Sequence, residues 1–218
     1  MTWRARILGF LFSVVLAATA EAAPPNIRTV GIARNGGKLV ASVGLGDLFQ
    51  ARDVDRLLSG FSTRVLIRVA LLRAGSDQPV AQAMRLSEIV YDLWDEKIRV
   101  RTSTDQPTKP EIRAVATPKA AVDVATNLAA FPLIDIAKLD PGATYRLSIR
   151  ADLNPISEEL VTNVRRWLSR PSGRGRTGSG DNFFGSFVSV FVNPRIEDSE
   201  RLVQIVSQSF KAPLGSPP

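Results

Sequence analysis

Alternating apolar and polar residues mark the strand around which the rest of the chain is arranged. Within residues 139–153, one side of an extended chain would collect Tyr145, Leu147, Ile149, Ala151 and Leu153. The other side would collect Arg146, Ser148, Arg150 and Asp152. This period of two predicts a strand with one face toward the core and one toward solvent.

The approach to this strand has a recognisable turn. Asp140-Pro141-Gly142 predicts a tight turn, because proline presets φ and glycine accepts a positive φ. The spacing Leu-x-Pro-Gly-x-x-Tyr, which ends at Tyr145, is typical of the tyrosine corner of immunoglobulin-like sandwiches, where the phenol bonds to the chain upstream. An ordinary antiparallel strand after a Pro-Gly turn is the alternative.

Similar patterns predict the remaining elements. A hairpin is centred on Asn35-Gly36, a strong hairpin signal, and Gly60 follows a short helical pattern as a C′ residue does. A slip in the alternation at 86–89 predicts a β-bulge. In chain order, we predict a hairpin at 27–45, a helix at 51–59, strands at 61–73, 79–93, 97–102 and 112–116, a helix at 120–130, the strand described above, a helix at 156–169, and strands at 184–192 and 202–210.

These elements predict a mainly β fold. We expect an antiparallel β-sandwich, with an immunoglobulin-like topology as one option and about three accessory α-helices. A single domain would span residues 23–212, with a flexible Gly/Arg loop at 171–182 and a disordered tail at 213–218. The length suits one domain with a sizeable core.

The N-terminal residues have the pattern of an export signal. Arg4 and Arg6 precede a short apolar run at 7–20, and Ala20-Glu21-Ala22 is a small-x-small cleavage site. This predicts a secretory signal peptide at 1–22. The run is shorter than the roughly 20 residues that span a bilayer, and no later stretch is long and apolar enough. We therefore expect an exported protein, periplasmic in a Gram-negative bacterium, without a transmembrane segment after cleavage.

The amino-acid composition excludes several kinds of catalytic and metal-binding site. The 218 residues include no cysteine and no histidine, which removes disulfides, thiolate nucleophiles, Cys/His metal sites and His-dependent triads. We therefore expect no cofactor, no metal and no enzymatic activity. The 28 Lys+Arg against 21 Asp+Glu give a net charge of +7. These basic residues are scattered and lack an aromatic-basic stacking motif, so the charge favours an anionic lipid surface or an acidic envelope protein over nucleic acid. A charge that serves solubility alone is the alternative.

A formal dinucleotide motif is rejected. Gly173-x-Gly175-x-x-Gly178 has the required spacing, but that fingerprint needs a strand before it and a helix directly after it. Here a predicted helix precedes the glycines and a predicted strand follows. No nucleotide site is expected.

One stretch resembles a known family. Residues 89–100 read Ile-Val-Tyr-Asp-Leu-Trp-Asp-Glu-Lys-Ile-Arg-Val. Together with the signal peptide, the hairpin-helix-strand order and the Leu-x-Pro-Gly-x-x-Tyr turn, they resemble the bacterial envelope family called domain of unknown function 4390. The resemblance runs from about Val30 to the C-terminal strand, and the chain departs from it near Gly173. It implies an exported, mostly β domain of unassigned activity and transfers no site residues.

Candidate partner-binding residues come from surplus apolar surface and basic loops. The predicted helix at 156–169 has one apolar face, and the predicted strand at 184–192 is apolar on both faces. Packing in the core is the favoured interpretation of each surface, and binding of a partner is the alternative. The candidates are Arg166, Trp167, Arg174, Arg176, Phe187 and Phe191. The leading hypothesis is a non-catalytic module that binds or scaffolds another envelope component.

Two chemical alternatives use carboxylates. A glycan hydrolase would need two acids about 5 to 10 Å apart, one with a raised pKa. The candidates are Asp92, Asp95 and Glu96, which lie beside Tyr91 and Trp94 in the sequence. An acidic β-turn between two strands is the simpler interpretation of these residues. A calcium site would use Asp152, Asn154, Glu158 and Glu159, which lack the regular spacing of a known calcium loop.

Overall fold

The computed structural model describes residues 26–105, 109–155 and 199–212. These residues are mainly β, with two α-helices, α1 at Ala51–Arg56 and α2 at Pro118–Thr126. None of their helices is long and apolar enough to cross a membrane. The strands are β1 Asn26–Arg28, β2 Gly31–Asn35, β3 Lys38–Gly44, β4 Thr63–Arg73, β5 Pro79–Asp92, β6 Lys97–Thr104, β7 Glu111–Val115, β8 Asn127–Asp135, β9 Thr144–Pro155, β10 Ser199–Ser207 and β11 Phe210–Lys211.

The strands form two sheets. The larger has the order β1-β10-β9-β4-β5-β6-β7, with β11 also paired to β9, and the smaller has the order β2-β3-β8. All pairs are antiparallel except β1 with β10. The predicted hairpin and the β4-β5-β6 meander are confirmed, and the predicted C-terminal strand is β10. The start of the predicted hairpin strand instead forms β1 in the other sheet.

One face of the larger sheet, called the inner face here, contributes to the hydrophobic core. It presents the predicted row Tyr145, Leu147, Ile149, Ala151 and Leu153, each at most 1% exposed. These residues join one cluster with residues of β3, β8 and α2. Burial of this row therefore links the strand predicted first in the sequence to both sheets.

The predicted tyrosine hydrogen bond is present. The Tyr145 hydroxyl accepts a hydrogen bond from the backbone N–H of Asp140, at 3.0 Å, five residues upstream. Gly142 has φ +74, which is the left-handed conformation that the preceding turn requires. The phenol therefore holds the turn against the start of β9.

Replacing Tyr145 with phenylalanine should lower the unfolding free energy by about 1–2 kcal/mol, because the Asp140 N–H loses its acceptor while the ring stays packed. Urea denaturation of the variant measures this difference. Tyr91→Phe, at a half-buried side chain whose hydroxyl makes no hydrogen bond with the described residues, is the matched control and should stay close in stability to the unsubstituted chain. Equal stability of both variants would contradict the structural role of the bond.

The helix predicted at 120–130 is wrong at its C-terminal half. It ends at Thr126, and the next nine residues form β8, which pairs with β3. Helix propensity of the alanines is overridden because Leu128, Phe131 and Leu133 become buried in strand geometry. Ala130 adopts φ +47, and two register shifts accompany this pairing, so the local alternation is irregular.

Three further expectations are corrected or left untested. Two α-helices, rather than about three, occur in the parts of the chain that the structure describes, and the predicted helix at 156–169 lies outside them. The bulge at 86–89 is wrong: the β4-β5 register is continuous there and shifts between Leu71 and Leu72. The alternation slips because both faces of β5 are buried at that point.

The second face of β9 also differs from prediction. Arg146 and Ser148 are partly exposed, but Arg150 and Asp152 are buried. We call this side of the larger sheet its outer face. The charged residues at alternate positions predict a solvent-exposed face. In the structure, Arg150 and Asp152 are buried there, and their opposite charges compensate each other.

Candidate functional site

A buried ionic group lies on the outer face of the larger sheet. Its members, Arg68 of β4 and Arg150 and Asp152 of β9, are each at most 5% exposed. Arg68 Nη2 donates to Asp152 Oδ2 at 2.5 Å, and Arg150 Nε and Nη2 donate to Oδ1 at 3.0 Å. Burial lowers the pKa of Arg68, and the nearby Asp152 carboxylate offsets part of that shift. Arginine stays protonated in proteins, so this group suits structural pairing rather than proton transfer.

The outer face also borders a shallow cavity. Its volume is about 160 Å³, and its lining residues are Ala70, Leu72, Asp77, Pro79, Gln82, Ser148 and Gln204. A second cavity, of about 170 Å³, is lined by Lys38, Leu133, Ile134, Asp135 and Lys138. Both are below the roughly 300 Å³ of ordinary small-molecule sites.

In the acidic turn between β5 and β6, the surroundings of Asp92 do not suit a general acid. Asp92 Oδ1 accepts hydrogen bonds from the backbone N–H groups of Trp94 and Asp95, at 3.0 and 3.2 Å. These amides lower the pKa of Asp92, and Arg99 lowers it further. Arg99 Nη2 also lies 2.5 Å from Asp95 Oδ2. A glycosidase acid needs a raised pKa, so the hydrogen bonds favour the simpler reading of a capped β-turn.

A different carboxyl group has a raised pKa. Burial raises the pKa of Asp105 to about 6, against the lowering effects of its backbone hydrogen bonds and of Lys38. Asp105 is not predictable as a candidate from the sequence, because a lone aspartate at the end of a strand belongs to no motif. Glycan hydrolysis requires a pair of carboxylates. The charged group that acts on the pKa of Asp105 is the lysine Lys38, so this interaction does not supply a second carboxylate.

The two described residues proposed as calcium ligands already have other hydrogen-bond partners. Asp152 accepts hydrogen bonds from two arginines, and Asn154 Oδ1 accepts one from the backbone N–H of Arg64 at 2.9 Å. Asn154 Nδ2 donates to Glu200. Glu158 and Glu159 lie outside the described residues. Within those described, no cluster of three or more His, Cys, Asp or Glu side chains could hold a metal.

Four exposed apolar side chains lie near the end of the larger sheet where β4 begins and β5 ends. We call this set of residues the apolar corner, and its members are Leu58, Phe61, Leu93 and Trp94. Phe61 is 79% exposed, Leu93 66% and Trp94 96%. Gly60, directly before Phe61, lies beside Leu93, since a Cβ there would be 3.6 Å from Leu93 Cδ1. Gly60 has φ +82, so it ends the α1 region and directs the chain into β4.

Only part of this corner is predicted from the sequence. The sequence pattern places Trp94 beside the carboxylates considered for glycan hydrolysis, and it places Phe61 at the start of a predicted strand at 61–73. The strand begins instead at Thr63, which leaves Phe61 before it and exposed. The left-handed Gly60 was the signal that separates Phe61 from the helix, but it did not indicate which way the ring points.

Charges of both signs flank the apolar corner in sequence. Within residues 52–64 and 92–99, five are basic and five acidic: Arg52, Arg56, Arg64, Lys97 and Arg99 against Asp53, Asp55, Asp92, Asp95 and Glu96. Arg99 pairs with Asp92 and Asp95 within the turn. The surroundings of the corner are therefore close to neutral overall, despite the basic composition of the whole chain.

The candidate partner-binding residues of the sequence analysis are not placed by the structure. Arg166, Trp167, Arg174, Arg176, Phe187 and Phe191 all lie outside the described residues. They stay predictions. The described residues supply the apolar corner as a separate candidate surface.

A buried ion pair anchors α1 beside this corner. Asp53 Oδ2 accepts hydrogen bonds from the backbone N–H of Gln50, at 2.8 Å, and from Arg201 of β10. Arg201 also donates to the backbone oxygen of Leu48 at 3.1 Å. Burial alone raises the pKa of Asp53, but the Gln50 N–H and Arg201 outweigh it and leave the pKa below its ordinary value of 3.8.

This ion pair predicts an acid-sensitive fold. Because the folded pKa of Asp53 is depressed, its stabilisation is complete above the unfolded value and is lost as the pH falls through the lower folded value. Asp53→Asn should therefore cost about 1–3 kcal/mol near neutral pH, and the cost should shrink in strong acid. Urea denaturation across an acid titration measures both effects. Asp55→Asn, at an exposed position of the same helix, is the control, and a pH-independent cost for Asp53→Asn would contradict the assignment.

Comparison with known proteins finds one relationship. No curated protein and no solved structure matches the chain. The model of one protein family, described as "Domain of unknown function (DUF4390)", matches residues 22–157. The match covers the hairpin, the α1 region, the meander, β8 and β9. The chain therefore belongs to the DUF4390 family.

Proposed function

We propose that this protein is an exported, non-catalytic binding module of the bacterial cell envelope. The observation that carries the proposal is the apolar corner, where a tryptophan, a phenylalanine and two leucines are exposed together. Exposed aromatic clusters with a polar rim are typical of protein-binding surfaces, since tryptophan is among the residues that dominate interface energetics.

The occupant that we propose is an envelope protein rather than a lipid surface. Binding to anionic headgroups requires an excess of basic charge near the membrane. The flanks of the corner, residues 52–64 and 92–99, instead carry five basic and five acidic side chains, which suits the charged rim of a protein interface. Peripheral binding of anionic lipid is the alternative, and it would draw on the basic residues outside the described part of the chain.

We also propose a sandwich for the arrangement of the two sheets. The shared hydrophobic cluster, which combines β3 and β8 with the inner face of the larger sheet, supports this arrangement. The Tyr145 hydrogen bond supports a relationship to immunoglobulin-like topologies. In such a fold the apolar corner lies where strand ends and turns meet, which is a common position for binding surfaces.

The non-catalytic assignment rests on side-chain chemistry. The sequence has no histidine or cysteine, and the acidic turn proposed for glycan hydrolysis has Asp92 shifted toward the ionised form. The export assignment rests on the basic and apolar pattern of residues 1–22. The location that we propose from this pattern is the periplasm of a Gram-negative cell.

Substitution of the apolar corner tests the function. Phe61→Ser with Trp94→Ser should abolish capture of a specific envelope protein from detergent-solubilised envelopes, and should change the unfolding free energy by less than about 0.5 kcal/mol because both side chains are exposed. Val80→Ser, at an exposed apolar position at the opposite end of β5, is the matched control and should retain capture. Equal capture by the two variants, or none by the unsubstituted chain, would refute the proposed surface.

A further inference from the structure

The last strand of the larger sheet leaves one edge open to pairing. Among the described strands, β7 pairs only with β6 and ends the strand order of that sheet. Residues 111–114 of β7 are exposed, and Ile112 is 66% exposed. A sheet edge of this kind presents a row of backbone N–H and C=O groups to another strand. β7 can therefore accept a strand from outside the chain.

The two charged residues of β7 have opposite signs and lie on one side of the sheet. Arg113 is opposite Val100, a member of the hydrophobic core, so Arg113 and Glu111 lie on the inner side and Ile112 lies on the outer side. Arg113 Nε is 2.6 Å from Glu111 Oε1, and both side chains are more than half exposed. Solvent weakens such a pair, so either side chain can turn to a partner at small cost. Read in the reverse direction, the order acidic, apolar, basic is complementary to itself.

We propose that two copies of this chain associate by antiparallel pairing of β7 with β7, with Ile112 of one copy opposite Ile112 of the other. In this register Glu111 of each copy faces Arg113 of the other, which gives two ion pairs across the contact. The two Ile112 side chains meet on the outer side, where each is exposed in the single chain. The two copies are related by a two-fold axis, so the association closes as a dimer.

Charge complementarity selects this register and this edge. A pairing centred on Arg113 would place two arginines opposite each other, and one centred on Glu111 would place two glutamates opposite each other, both of which are unfavourable. At the edges of the smaller sheet, β2 contains no acidic residue to match Arg34, and β8 is interrupted by register shifts and by Ala130 at φ +47. β1 has only three residues. Among the described strands, β7 is therefore the edge best suited to self-association.

The proposed contact is small and separate from the apolar corner. β7 has five residues, and interfaces of this size are weak, so we expect a monomer–dimer equilibrium that depends on concentration. The pairing uses no residue of the apolar corner. It therefore neither requires nor excludes the binding of an envelope protein there.

Charge reversal tests the register. Glu111→Arg leaves β7 with two basic residues and Arg113→Glu leaves it with two acidic residues, so the dimer dissociation constant of each variant should rise at least roughly tenfold in sedimentation velocity. An equimolar mixture of the two variants should dimerise again, because each supplies the charges that the other lacks. Asp55→Arg, which changes the net charge equally at an exposed position of α1, is the matched control and should dimerise as the unsubstituted chain does. Unchanged dimerisation of the single variants, no recovery in the mixture, or an unsubstituted chain that stays monomeric up to about 1 mM would overturn the proposal.

A single engineered cysteine tests the pairing directly, because the chain has none of its own. Ile112→Cys should form a covalent dimer under mild oxidation, since directly opposite residues of antiparallel strands bring their Cα atoms to about 5 Å, within the reach of a disulfide. Ala114→Cys, exposed on the same side of β7, is the control. In the proposed register its two copies lie about 13 Å apart along the strands, so it should form little dimer. Equal dimer yields from the two variants, or none from Ile112→Cys, would overturn the proposed pairing.

Discussion

Asp152→Asn should lower the unfolding free energy of the protein by about 3–5 kcal/mol, which is the largest effect that we expect. The substitution keeps the size of the side chain but removes the carboxylate that accepts hydrogen bonds from Arg68 and Arg150. Removing one member of a buried ionic group leaves the others charged in the interior, which is why the cost exceeds that of an ordinary hydrogen bond. Urea denaturation with circular dichroism measures the loss.

Two comparisons isolate the cause. Asp95→Asn removes an exposed carboxylate that also pairs with an arginine, and it should cost less than about 1 kcal/mol because solvent screens that pair. Replacing the whole buried group with Arg68→Met, Arg150→Leu and Asp152→Leu should cost less than Asp152→Asn alone, since no buried charge remains. A triple variant less stable than the single variant would show that the group stabilises the sheet through more than charge compensation.

Arg85→Met should cost about 2–4 kcal/mol. Arg85 reaches from β5 to the C-terminal end of α2, where Nη2 donates to the Ala125 oxygen at 2.8 Å and Nη1 to the Asn127 oxygen at 2.9 Å. Burial lowers its pKa to about 10, and the positively charged Arg113 adds to that shift, so Arg85 stays protonated at neutral pH. Methionine would fill the space but leave two carbonyl groups without this donor, and it would remove a charge that suits the helix dipole.

The lysine variant separates charge from geometry. Arg85→Lys restores the charge but not the two-pronged donor, and it should recover part of the lost unfolding free energy. Arg101→Met, at an exposed position of β6, is the matched control and should be nearly neutral. If Arg85→Met were as stable as that control, the arginine would not cap α2 to any useful extent.

Much of the β architecture was predictable because the inner face obeys simple alternation. The row from Tyr145 to Leu153, the Asn-Gly hairpin and the three-stranded meander follow from a period of two and from turn residues. The pairing of strands that are distant in the sequence was harder to predict. Nothing local shows that β9 lies between β4 and β10, because register between distant strands is decided by burial in three dimensions.

The errors share a physical origin. Residues 127–130 have good helix propensity, but burial of Leu128 and Phe131 against β3 places them in a strand. Arg150 and Asp152 were assigned to solvent because single charges are seldom buried, whereas paired charges can be. Exposure of Phe61 could not be predicted either, because it depends on the strand starting two residues later than the alternation suggests.

In-cell photo-crosslinking tests whether the apolar corner binds an envelope protein. A photoreactive amino acid is placed at Trp94 or at Phe61, with Val80 as the control position, and the adducts are identified by mass spectrometry in fractionated cells. We expect the same envelope protein to be crosslinked at Trp94 and at Phe61, no such adduct at Val80, and recovery of the chain in the exported fraction. Lipid adducts at the corner, or a folded and abundant chain with no protein adduct there, would contradict it.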